Sequence, residues 1–139
     1  MSIPQPQVKA GGDINTARFV NLSTSDDNTV LEADANETVF GISSESAQDA
    51  PIPSASTLAA AAGDYLRVYQ PGEVCLLKIG SGGVTAGDKI KSDADGQGVA
   101  AATTGTTEQH YGAIALETAA EGALARVKVE VGRFYPALA

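Results

Sequence analysis

The sequence predicts an all-β protein: a single small β-barrel or sandwich with an extended N-terminal arm and at most one short helix. Three observations predict this class. Apolar residues fall in short alternating or β-branched runs rather than at helical spacing, and turn-forming tracts separate those runs. The third observation is size: 139 residues suffice for one domain plus an arm but not for two full domains.

Taken in order, residues 1–14 hold Pro4, Pro6, Gly11 and Gly12 with little apolar periodicity, which predicts an extended arm free to lie on a partner. Residues 15–139 are the β-domain. "NTARFVNLST" at 15–24 opens its pattern, and "NTVLEA", "ETVFGIS", "DYLRVYQ", "EVCLLKI", "DKIKSD", "YGAIALE" and "LARVKVEV" continue it. Between them stand "SDD", "DAN", "PGE", "GSGG" and "DADGQG". The clearest strand is 125–131, where Ala125, Val127, Val129 and Val131 share one face and Arg126, Lys128 and Glu130 the other. In "EVCLLKI", Val74 and Leu76 oppose Cys75, Leu77 and Ile79. Apolar groups on both faces suit a strand covered on one side by its own domain and on the other by core or a neighbouring subunit. "SAQDAPIPSASTLAAAAGD" at 46–64 is the one helix-like segment: Ser54 or Ser56 would cap a short turn through Ala62, Gly63 would end it, and Pro51 and Pro53 hold the preceding stretch extended. "AGD" recurs at 62–64 and 86–88 before alternating runs, a turn device used twice rather than a structural repeat.

Charge and composition exclude several function classes. The net charge is -8, from 9 basic and 17 acidic residues, with no Lys/Arg cluster, which argues against direct nucleic-acid or anionic-membrane partners. Cys75 is the sole cysteine, so no intrachain disulfide is available, and its apolar surroundings predict a buried structural thiol. "MSIPQPQVKAGGD" has no basic region followed by an apolar core, and no apolar run approaches the roughly 20 residues that cross a bilayer, so the expectation is a non-secreted chain made in the cytoplasm. Tryptophan is absent and alanine and glycine abound, giving a thin core for which oligomerisation or docking on a larger body would supply the missing burial.

Two stretches imitate ligand sites. Gly82 and Gly87 have P-loop spacing, but Asp88 stands where the phosphate-binding lysine belongs, no hydroxyl follows it, and a strand pattern follows instead of a helix. Asp93, Asp95, Gln97 and Gly98 resemble the start of a calcium loop, but Thr104 occupies the position of the bidentate glutamate and no helices flank it. The segment reads instead as a hairpin turn in which Asp95-Gly96 supplies positive-φ positions. His110 is the single histidine; without a GxSxG elbow or a cysteine set it makes neither a nucleophile's base nor a metal site, and it reads as a loop or strand-edge residue. Acidic pairs such as Asp26-Asp27 read as solvated loop charge. No catalytic residue, cofactor or metal is expected.

With these sites eliminated, "ETVFGISSESAQDAPIP", "AGDYLRVYQPGEVCLLKIG", "VTAGDKIKSDADGQGVAA" and "YGAIALETAAEGALARVKV" resemble the small capsid decoration, or cement, proteins of tailed bacteriophages. The likeness spans 37–131. It implies an all-β domain, often trimeric, that binds major capsid protein on the outer surface of the expanded head where subunits meet. It implies a virion location and brings no catalytic residue with it. On this reading Ile3, Pro4, Pro6 and Val8 anchor the arm on neighbouring capsid proteins, and Val74, Leu76, Phe134 and Tyr135 are expected at subunit contacts or, for the two aromatics, closing the end of the barrel. The competing class is a carbohydrate- or receptor-binding β-module, for which four tyrosines and three phenylalanines offer few platforms. A third is a small hydrolase using Ser81 or Ser44 with His110.

Overall fold

The computed structural model describes residues 8–44 and 58–135. The strands run β1 (Val8–Ala10), β2 (Ile14–Asn15), β3 (Phe19–Leu22), β4 (Thr29–Glu32), β5 (Gly41–Ser43), β6 (Leu58–Ala60), β7 (Tyr65–Leu66), β8 (Val68–Tyr69), β9 (Val74–Lys78), β10 (Lys89–Ser92), β11 (Gly98–Ala100), β12 (Gln109–Ala115) and β13 (Leu124–Phe134). Among the described residues there is no helix, so the all-β class holds.

Six short strands form one sheet in the order β7-β1-β4-β3-β5-β8. Its two edge strands, β7 and β8, are separated in the chain by Arg67 alone. The ends of the sheet therefore meet, and the sheet curls into a nearly closed barrel. Inside sit Val8, Ala10, Val20, Val30, Leu66 and Val68, joined by Ile14 and Ala60 from the small β2–β6 ladder. Strand alternation then sends Phe19 and Ile42 to the outer side of the wall. There they meet a second sheet, antiparallel throughout, in the order β11-β10-β12-β13-β9. Its inner face supplies Cys75, Leu77, Ile90, Ala113, Val127 and Val129 to a second core, closed by Phe19, Ala33, Val39 and Ile42. Cys75 is buried as expected. Between Tyr111 and Ala113 the β12 register slips at a bulge; a Cβ on Gly112 would come within 2.7 Å of Phe19 and 2.9 Å of Val39, so only glycine lets the two layers approach there.

Three local expectations are corrected. Within 1–14, Val8–Ala10 is β1, pairing parallel with β4 and antiparallel with β7, and Ile14 opens β2. Val8 and Ala10 flank exposed Lys9 in a minimal period-2 pattern that the surrounding prolines and glycines obscured. Of the helix-like segment, 45–57 lies outside the described residues, and Leu58–Ala60 is a strand, because pairing with β2 overrides the helix preference of alanine. Gly63, at φ +90°, turns the chain into β7 and donates its N–H to the Ala10 carbonyl. In the 93–98 turn, only Gly96 has positive φ, at 76°. The Asp93 carboxylate accepts from the N–H groups of Asp95 and Gln97, so one carboxylate and one glycine build a tight hairpin end.

Candidate interaction surfaces

One face of the five-stranded sheet lies against the barrel; the other is turned outward. On β13, burial alternates strictly from Leu124 to Glu130, with Ala125, Val127 and Val129 inside and Leu124, Arg126, Lys128 and Glu130 outside. Register carries the outward positions across the sheet. Lys78 lies beside Leu124, Leu76 beside Arg126, and Val74 beside Lys128, which in turn neighbours Ile114 and then Lys89. Val74, Leu116 and Leu124 are each about half exposed, at 53%, 47% and 49%. The face is thus a lattice of aliphatic side chains interleaved with Lys and Arg.

Near its end, the Lys89 ammonium sits 4.9 Å from the centroid of the Phe134 ring and 5.4 Å from that of Tyr111, the two rings being 6.1 Å apart. Cation and rings hold one another against the sheet. Tyr135 continues past this cluster and its phenol hydrogen-bonds the Glu108 carboxylate, which holds the Tyr135 pKa above the usual tyrosine range. Glu108 also meets Nε2 of His110 at 2.9 Å; Nδ1 of His110 lies 3.3 Å from the Thr38 hydroxyl, and the Asn36 side chain accepts the His110 backbone N–H. These contacts tie the 36–38 turn to the start of β12. His110 is therefore a strand residue serving as a structural tie. Ser81 sits in the turn after β9, and Ser44 follows β5; the side chains meeting the His110 ring are Thr38 and Glu108.

The expected subunit-contact residues separate into two places. Val74, Leu76 and Phe134 share the outward sheet face, while Tyr135 stands at its end. Of the expected capsid anchors, Val8 is buried in the barrel at 8% exposure, and Ile3, Pro4 and Pro6 lie outside the described residues. Leu116, Leu124 and the cations between them were missed in the sequence. The signal was available in the apolar residues at 114 and 116 and at 124, on the parity opposite to the core positions.

A second exposed surface is the β7–β1–β4 wall of the barrel. Tyr65, 64% exposed, lies beside Lys9, and Leu31, 40% exposed, points the same way on β4. Asp26, Asp27 and Gly63 border one shallow cleft there with Lys9. Asp13 accepts from the Ala62 N–H at 3.3 Å, and Asp64 precedes β7. Among the described residues, no group of three or more His, Cys, Asp or Glu is arranged to hold a metal, and no helix is long and apolar enough to cross a membrane.

A family model, Phage_cement, described as "Structural cement protein (E217 gp24/Pam3 gp6)", matches residues 2–130. Among solved structures, the chain is similar to the head fiber gp8.5 N base of bacteriophage phi29, with 19% sequence identity over 89% of this chain and 91% of that chain and a TM-score of 0.61. At that identity the likeness is one of fold. No curated protein matches the chain.

Proposed function

This chain belongs to the structural cement protein family of phages, and from that premise we propose that it binds the outer surface of the expanded head, between major capsid protein subunits, as a homotrimer. Membership makes it a structural, capsid-stabilising phage protein of the virion. The match over 2–130, which takes in both cores, is the observation that carries the reading. The mechanism is that of a clamp. Packaged genome pushes the shell outward, and a rigid body bridging several subunits makes their separation cost its own contacts as well. A trimer engaging three equivalent surfaces holds far more tightly than one patch, because the second and third contacts are intramolecular. The chain's own contribution is stiffness: two cores packed on opposite sides of β3, with Phe19 in one and Val20 in the other, leave little room for shear.

Residues 1–7 reach neighbouring capsid proteins in this reading, with Ile3, Pro4 and Pro6 as anchors, and the burial of Val8 fixes the root of that arm in the barrel. Synthesis takes place in the host cytoplasm before the protein joins the finished shell. The test is to mix the purified protein with expanded, undecorated heads. Saturable co-sedimentation, together with heads that survive a higher temperature when decorated, is the expected result; protein left in the supernatant at every concentration would sink the reading.

A further inference from the structure

We propose that the outward face of the five-stranded sheet is the seat of a second copy of this chain, which presents its acidic β7–β1–β4 barrel wall, so that copies join face to flank in a closed ring. The inference rests on the cement reading only for the number of copies in that ring.

Charge selects the partner. Five of the nine basic residues, Lys78, Lys89, Lys91, Arg126 and Lys128, lie on the outward face, and Glu130 is the one carboxylate among the described strand positions of that face. Setting these aside from the totals of 9 and 17 leaves four cations against sixteen carboxylates in the rest of the chain. An acidic protein has thus gathered its cations on one surface together with exposed leucines. Stacking this face on its own image across a twofold axis would set cations against cations, and like charges facing one another at a desolvated contact are strongly disfavoured. A heterologous contact avoids this. The complement exists on the same molecule: Tyr65 and Leu31 supply exposed apolar surface, Asp26 and Asp27 border the cleft beside Lys9, Asp13 accepts from the Ala62 N–H, Asp64 leads into β7, and Arg67, the cation just after β7, is paired with Glu73. Joining two different surfaces of identical copies is the contact that generates rings when rotation closes, whereas a self-complementary contact generates dimers. Electrostatics here favours the ring.

The experiment is light scattering on the full chain at low and high salt, for wild type, Arg126→Glu/Lys128→Glu, Asp26→Lys/Asp27→Lys and the chain carrying all four changes. All four side chains are exposed, and circular dichroism checks that each variant keeps its fold. Wild type is expected at three times the 14.1 kDa chain mass at low salt, each two-site reversal at the single-chain mass, and the four-site swap back at three. Two-site variants that remain associated, or a folded four-site swap that stays single, would overturn the pairing of these surfaces while leaving head binding to be decided separately. A wild type of single-chain mass that still binds heads would overturn the ring alone; one that ignores heads would remove the cement reading as well.

Discussion

Gly41 shows how tightly single positions are specified. A Cβ there would stand 2.3 Å from the Tyr69 carbonyl oxygen and 2.5 Å from a methyl of Val68, because the paired strand β8 passes close to this point. Gly41→Ala is expected to cost about 1–3 kcal/mol in denaturant unfolding. Leu77, fully buried between the sheets, should cost about 2–5 kcal/mol when cut to alanine. Titration offers a third check. Glu108 favours the neutral phenol of Tyr135, so its folded pKa lies above the unfolded value of 10.0. The contact therefore contributes stability below that value and loses it as pH rises through the folded pKa, leaving neutral pH unaffected. Ultraviolet titration should show Tyr135 ionising at lower pH in Glu108→Gln than in the wild type; an unchanged titration curve would contradict the bond. Legibility differs among such residues. The Asp93–Gly96 turn could be read from its letters because its bonds are local, whereas the Glu108–Tyr135 and His110–Thr38 pairs join distant segments that no local pattern connects.

Strands were legible where their alternation ran long. β13 is evident from Ala125, Val127 and Val129, core positions at spacing two, whereas Val131, expected on the same face, is exposed at the register shift; the β9 run carries apolar groups on both faces. β1 and β6 are not evident, since three residues hold too little pattern to outweigh neighbouring Pro, Gly and Ala; their identity comes from the partners β4, β7 and β2. That dependence makes a prediction. Removing residues 1–7 should leave the melting temperature essentially unchanged while weakening head binding. Removing 1–10 should lower it steeply, because β1 bridges β4 and β7 and carries Val8 and Ala10 into the inner core. Equal head occupancy by the 1–7 deletion and the full chain would refute the arm's role, and equal melting of the two deletions would refute the place of β1.

At the scale of the molecule, the sequence showed that burial was scarce, but not that it would be divided between a barrel interior and an intersheet layer sharing the same strands. Short strands can belong to both cores because each has two sides. For the face-to-flank ring proposed above, trimer content should fall on going from low salt to about 0.5 M as charge pairs across the contact are screened over about a Debye length; an association indifferent to salt would point to apolar contact alone. The barrel's closure has a mechanical meaning too. A seam made of hydrogen bonds can be peeled, one rung after another, by a sideways pull. Here the two edges are joined through the backbone at Arg67, so a load crossing that line is carried by covalent bonds. The barrel acts there as a hoop, and tension across it must find its weakest rungs elsewhere, among the short ladders that tie β1 to its neighbours.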